Sequence, residues 1–334
     1  MFKTKILTLL AAVFSITSGL AQFTDVINSN RPGQSMAAFS VGKTVIQSEM
    51  GVNYSKERYD ETFLENGYEA VNWTADLTLR YGVFIEQFEI LANFEYQNER
   101  ITSPDFDRHD TGLKRTTIGA KYLVYDPDRD YEKKPNLYSW KANHKFNWRQ
   151  FIPAIAFYGG ANFNLAPDKF RRPEVPKEEG FTLKGMILTQ NQFGRYTFLT
   201  NIIVDKFPSE RNSLDYVLTM TRGFNSRVSG FIEIQGYNNE YYKDHFFRIG
   251  AAYLLKQNLQ IDASVSSNFQ DEPNIFVAGV GVSWRFDGNY EDVMLRIPKG
   301  YTKSKLDKKS DKLKDKKKEK EKKRIDAVDG DKTK

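Results

Sequence analysis

Thirteen residues from Val71 to Val83 keep a period of two without a break. Val71, Trp73, Ala75, Leu77, Leu79, Tyr81 and Val83 alternate with Asn72, Thr74, Asp76, Thr78, Arg80 and Gly82. Successive side chains of a β-strand point to opposite faces, so this stretch is a strand with one apolar face and one polar, charged face. A helix would scatter the same apolar residues around its axis. The last regular segment, Ile275 to Phe286, repeats the rule: Phe276, Ala278, Val280, Val282, Trp284 and Phe286 share one face, with Gly279, Gly281, Ser283 and Arg285 on the other.

About twelve such segments lie between Lys43 and Phe286, at 43–54, 71–83, 88–97, 116–125, 151–165, 181–190, 196–207, 214–221, 228–237, 246–255, 259–269 and 275–286. An even number of strands, each about ten residues long, with aromatics near the apolar ends (Tyr54, Tyr81, Tyr96, Trp284), is the pattern of an all-β transmembrane antiparallel up-and-down β-barrel. A soluble sandwich also alternates, its polar face meeting water. Strand length, the aromatics and the end of the β pattern at a terminal aromatic favour the membrane barrel. Segment 181–190 has apolar residues on both faces, so its register stays open. Connections after even-numbered strands are mostly short, while 55–67, 98–112 and 167–180 are longer and charged. The exception is 126–150, whose core, 137–148, has helix-compatible spacing and could cap the barrel mouth.

The ends differ in kind from the middle. Residues 1–21 combine Lys3 and Lys5, an apolar run from Ile6 to Ile16, and Gly19 and Ala21 before Gln22, which reads as a secretory signal peptide. No stretch reaches the roughly 20 apolar residues of a spanning helix. The absence of cysteine excludes disulfides and a lipidated N-terminal Cys. The net charge of +6 belongs to the tail: residues 301–334 hold 15 Lys and Arg against 8 Asp and Glu. That lysine-rich tail, taken from 287 to 334, has too few apolar residues for a core, so it is expected to be disordered or partly helical. In an exported chain it suits cell-wall polymer or a periplasmic protein better than nucleic acid. The expected organisation is thus a signal peptide (1–21), an extended segment that could enter and plug the lumen (22–42), an outer-membrane barrel (43–286) and a periplasmic tail (287–334).

Catalysis finds little support. The three histidines, His109, His144 and His245, fall in predicted connections, with no serine placed to act as nucleophile and no zinc spacing. No enzyme activity, metal or cofactor is expected. What remains is the inward face, where parity places Glu49, Asp76, Arg80, Glu89, Glu95, Lys121, Asp205, Asp215, Glu233, Arg248, Asp262 and Arg285. A dozen mixed charges cannot face lipid, so they imply water, mutual pairing or a plug. They either hold the barrel together as ion pairs or line a solute path. Phe231 and Tyr237, also inward, would suit a solute with an apolar ring.

Finally, Ile27 to Gln34 (INSNRPGQ), then Val41-Gly-Lys and the strand from Ile46 to Gly51, resembles the start of the outer-membrane transporter family described as the MetA pathway of phenol degradation. In that family an Asp-Arg-Pro motif precedes a first strand with a central glutamate. Arg31, Pro32 and Glu49 match, and Asn30 stands where the acid is usual. The resemblance covers roughly 25–286 and implies a β-barrel channel or transporter. The expected partners are outer-membrane lipid, a small solute and, through the terminal strand, the barrel-assembly machinery. A non-transporting accessory subunit whose tail anchors elsewhere is the alternative.

Overall fold

The computed structural model describes residues 27–59, 67–129, 148–166, 169–170, 177–270 and 272–287. Twelve strands follow one another: β1 (Val45–Tyr59), β2 (Tyr68–Gly82), β3 (Phe88–Ser103), β4 (Phe106–Tyr125), β5 (Ala154–Asn164), β6 (Phe181–Phe193), β7 (Tyr196–Phe207), β8 (Ser213–Gly223), β9 (Val228–Asn238), β10 (Lys243–Lys256), β11 (Leu259–Asn268) and β12 (Asn274–Asp287). Each pairs antiparallel with its neighbours in sequence, and β12 pairs with β1 to close the barrel. Closure leaves no edge strand, so every strand has a hydrogen-bonded neighbour on both sides, as a lipid-embedded sheet requires.

Parity sets the two faces. Met50, Val52, Trp73, Leu79, Ile118, Ile187, Ile202, Leu218, Ile249, Val265 and Val280 are exposed on the outer surface, forming an apolar belt. On the opposite face of the same wall Glu49, Arg80, Lys121, Asn201, Glu233 and Gln260 are fully buried inside. This is an inverted arrangement for a soluble protein and the expected one for a barrel whose outer solvent is lipid.

One end, where β1 begins and β12 finishes, carries the short turns at 83–87, 194–195, 224–227 and 257–258. It also carries the long 126–153 connection, in which Trp148–Phe151 is a single 3-10 turn. The helix expected over 137–148 lies almost wholly outside the described residues, as do the signal peptide and all of the tail beyond Asp287.

Two expectations are corrected and one open register is filled in. Residues 98–112 are a strand hairpin, with β3 reaching Ser103 and β4 starting at Phe106 rather than at 116. Cross-strand ion pairs such as Arg100–Asp107 (2.6 Å) make this extension polar on both faces, which hid it from an apolar-alternation test. His109 and His245 lie on strands, not in loops, bonded to Asn98 Oδ1 (3.0 Å) and Tyr216 Oη (3.2 Å). Strand β6 acquires a register: Thr182, Met186 and Leu188 are buried inside, while Phe181, Leu183 and Ile187 are exposed outside.

Candidate functional site

Residues 27–42 run against the inner wall, and the inward charges converge on them. The geometry is simplest in one row of paired residues across four strands: Asp262 (β11), Gly281 (β12), Gly51 (β1) and Asp76 (β2). The two central glycines form a floor with no side chains, and the two aspartates stand at its edges. Arg31 fills the space: its Nη1 donates to Asp76 Oδ2 at 2.6 Å, and its Nε lies 3.5 Å from Asp262 Oδ1. A Cβ on Gly51 or on Gly281 would overlap the guanidinium. Glycine here serves close approach, since it otherwise weakens a strand. Asn30, before it, places its N–H 3.3 Å from the Glu49 carboxylate and accepts the Ala37 N–H on its own Oδ1. Pro32 follows through a cis peptide bond.

A second cluster lies nearer the short-turn end. Arg80, fully buried, donates to Glu49 (3.0 Å), to Glu89 (2.9 Å) and to the carbonyl of Asn28 (2.6 Å). Lys121 pairs with Glu89 (2.8 Å) and donates to the carbonyls of Ala37 (2.8 Å) and Phe39 (2.9 Å). Val41 N–H completes the set on Glu89 at 2.8 Å. Two cations thus meet two carboxylates, and the spare hydrogen-bonding capacity of the cluster goes to the backbone of the segment. A buried charge is tolerable only when paired and hydrogen-bonded in this way.

On the opposite wall Glu233 accepts from the successive backbone N–H groups of Gln34 (3.0 Å) and Ser35 (3.3 Å), from Thr219 (2.8 Å), and from Arg248. Gly33 lets the chain come this close, because a Cβ there would press on the same carboxylate. A run of N–H groups converging on an anion is a backbone nest. Ser29 and Ser283 bring their Oγ atoms to 2.7 Å.

Between these polar anchors the segment turns apolar. Ala38 is buried among Leu91, Leu123, Ala156, Tyr158, Met186, Leu188, Ile203 and Val217, with Met36 and Phe39 packed against the same group. These wall residues face inward on β3 to β8. The inner face of β6 is apolar because it receives this part of the segment, which explains its double-sided hydrophobicity.

Of the sequence candidates, Glu49, Asp76, Arg80, Lys121, Glu233, Arg248, Asp262, Asn30 and Arg31 come together around the segment. Glu95 belongs to another group, with Lys114 (3.3 Å) and Arg115 (3.3 Å), and Arg115 reaches Asp205 (3.4 Å). Arg285 lies at the short-turn end, opposite Gln47 in register. Sequence reasoning missed Lys114 and Arg115. A bulge between Glu95 and Tyr96 sets Leu113 and Arg115 opposite consecutive residues of β3, so that two adjacent cations both reach one inward carboxylate, against simple parity. It also missed Gly51 and Gly281, whose role exists only once Arg31 is in place. Among the described residues no group of three or more His, Cys, Asp or Glu is placed to hold a metal ion.

The fold and lumen define a class: a twelve-stranded outer-membrane-type β-barrel whose interior carries its own N-terminal segment. The chain belongs to the family described as "Putative MetA-pathway of phenol degradation", whose model matches residues 29–286. Among solved structures, an outer membrane channel from Pseudomonas putida F1 superposes with a TM-score of 0.50 at 11% identity, over 75% of this chain and 98% of that one. The translocator domain of the autotransporter NalP from Neisseria meningitidis gives 0.43 at 8% identity, over 85% and 95%. The CymD monoaromatic hydrocarbon channel gives 0.42 at 7% identity, over 74% and 90%. No curated protein matches the chain.

Proposed function

We propose that the protein is an outer-membrane channel for a small, hydrophobic or aromatic solute, closed by residues 27–42 and opened when that segment leaves the wall. The observation that carries this reading is the inward apolar patch of Leu91, Leu123, Ala156, Tyr158, Met186, Leu188, Ile203 and Val217 under Met36, Ala38 and Phe39. Burying the patch under the segment stabilises the closed state, and releasing the segment uncovers it. Once uncovered, it offers an apolar ring a surface inside a polar lumen. Tyr237 and Phe246, edge-to-face with centroids 5.6 Å apart near the far end of β9 and β10, give the same ring a contact on the other side of the segment. Membership of a family described by phenol degradation supports the solute class, and a fold shared with an outer membrane channel supports the channel reading. Glu49, Asp76, Arg80, Glu95, Lys121, Glu233, Arg248, Asp262 and Arg285 then line the path, with Asn30, Arg31 and Pro32 in its closing segment. We place the short-turn end in the periplasm, since outer-membrane barrels keep their tight turns there. The chain leaves β12 at that end, which supports a periplasmic lysine-rich tail.

The chain has no cysteine, so the closure can be locked by design. Ser29→Cys with Ser283→Cys places two thiols where the hydroxyls are 2.7 Å apart. The oxidised protein in liposomes should admit phenol-sized solutes far more slowly than the same sample after reduction. Equal uptake in both states would refute closure by the segment. No uptake in either state would favour a barrel that serves as a non-transporting platform.

A further inference from the structure

The cradle that holds Arg31 is an imperfect fit for its occupant, and the misfit is informative. Asp262 is completely buried at its side chain, yet neither of its carboxylate oxygens accepts a hydrogen bond among the described residues. The Arg31 Nε that faces it, also buried, donates none. Arg31 is a tethered ligand: its backbone is held by the Ser29–Ser283 contact and by the Asn30 N–H on Glu49, and its guanidinium donates to Asp76 at 2.6 Å and to the Val280 carbonyl at 3.3 Å while its Nε stays 3.5 Å from Asp262 Oδ1. A planar cation without that tether can slide across the glycine floor and donate to both carboxylates, as guanidinium donors prefer.

We propose that the Asp76–Gly51–Gly281–Asp262 row is a recognition site for a guanidinium cation, occupied in the resting protein by Arg31. A free solute bearing this group competes for the site. The charge count supports it: the row has two carboxylates, and Arg31 is the cation between them. Once Arg31 leaves, the row holds two negative charges over an uncovered backbone, an anionic slot one planar group wide. The recognition itself does not depend on which solute the channel carries; only the consequence for opening rests on closure by the segment.

Binding is tested on the full chain with Arg31→Ala, which vacates the slot and keeps both carboxylates. Ethylguanidinium at millimolar concentration should raise the unfolding temperature of Arg31→Ala saturably, and should do so much less for the parent protein, whose slot is filled. Tetramethylammonium at the same ionic strength, round and without donors, should give no saturable shift. Arg31→Ala combined with Asp262→Asn should lose the effect of ethylguanidinium. Equal shifts from the two cations, or a shift that survives Asp262→Asn, would overturn the site. Current is read separately in planar bilayers, where ethylguanidinium should increase the open time of the parent protein. A thermal shift without a change in current would refute the competition while leaving the binding site standing.

Discussion

Alanine in place of Gly51 probes the arginine cradle with a single methyl group. The added Cβ would occupy the volume of the Arg31 guanidinium, so Arg31 must withdraw and its 2.6 Å bond to Asp76 is lost. Hydrogen bonds to charged groups contribute about 1.5–3 kcal/mol, so the docked state should lose about 2 kcal/mol. At 1.4 kcal/mol per factor of ten, the undocked population rises about 30-fold. The sheet itself is not weakened, because alanine is at least as good as glycine in a strand. The readout is chemical. Ser35 is buried and its N–H rests on Glu233, so Ser35→Cys can react with a maleimide only after undocking. With labelling slow relative to redocking, the rate follows the open population and should rise about 30-fold in Gly51→Ala. Gly159→Ala, where an added Cβ meets no atom within 4 Å, is the control and should leave the rate unchanged. An unchanged rate in Gly51→Ala, or an equal rise in Gly159→Ala, would refute the cradle.

Arg80→Ala should destabilise the barrel by about 3–5 kcal/mol in urea unfolding from lipid vesicles, since it strands Glu49 and Glu89 as buried, half-compensated carboxylates; Arg80→Lys, which keeps the charge but cannot fork between both acids, should fall between. Val280→Arg, on the exposed apolar belt, should cost about 2–4 kcal/mol in the same assay, and a negligible cost would sink the assignment of that face to lipid. Glu178, in the β5–β6 connection, is partly buried, which alone would push its carboxyl up, but Lys206, with Arg115 and Arg211 beyond, holds it below the ordinary value. Its stabilising contribution is therefore complete above the unfolded value of about 4.3 and fades as pH falls through the lower folded value, so Glu178→Gln should flatten the acid limb of the stability profile.

The faces of the strands were legible because the sequence carries them residue by residue. Glu49, Asp76, Arg80, Glu233 and Asp262 could be assigned to the interior from their neighbours alone, since Met50, Leu77, Leu79, Ile234 and Ile261 could face only lipid. What parity cannot carry is a partner distant in sequence. The pairing of Arg31 with Asp262 spans the whole barrel, and nothing local to either residue indicates it. The same holds for Gly51 and Gly281, which read locally as weak strand positions and acquire a purpose only from an arginine on another part of the chain. The apolar inner face of β6 looked like noise in the alternation, but it marked the place where the wall touches protein rather than water.

The segment is anchored unevenly, and this sets the direction in which it can leave. Its C-terminal half is tied to the barrel: the Thr44 N–H bonds the Gly82 carbonyl at 2.9 Å, Val41 bonds Glu89, and Lys121 holds the carbonyls of Ala37 and Phe39. From there the chain runs directly into β1, so the residues next to the β1–β2 ladder stay in place while those before Val41 come free only after these bonds break. Residues 28–35 hang instead on side-chain contacts with Arg80, Ser283, Asp76 and Glu233, which can break one at a time. Opening should therefore proceed from residue 28 towards residue 41, with the Lys121 contacts breaking next and the Val41–Glu89 bond as the last clasp. Cysteine labelling resolves the order: Ser35→Cys and Ala38→Cys replace two buried residues three positions apart on either side of the first Lys121 contact. Freeing position 38 requires breaking at least one further bond to a charged donor, about 1.5–3 kcal/mol, so its labelling should be slower by about ten- to a hundredfold. Lys121→Met should collapse that gap by speeding position 38 while changing position 35 little. Equal rates at the two positions in the parent protein would mean that the segment departs as one cooperative unit and that the uneven anchoring has no bearing on how the lumen opens.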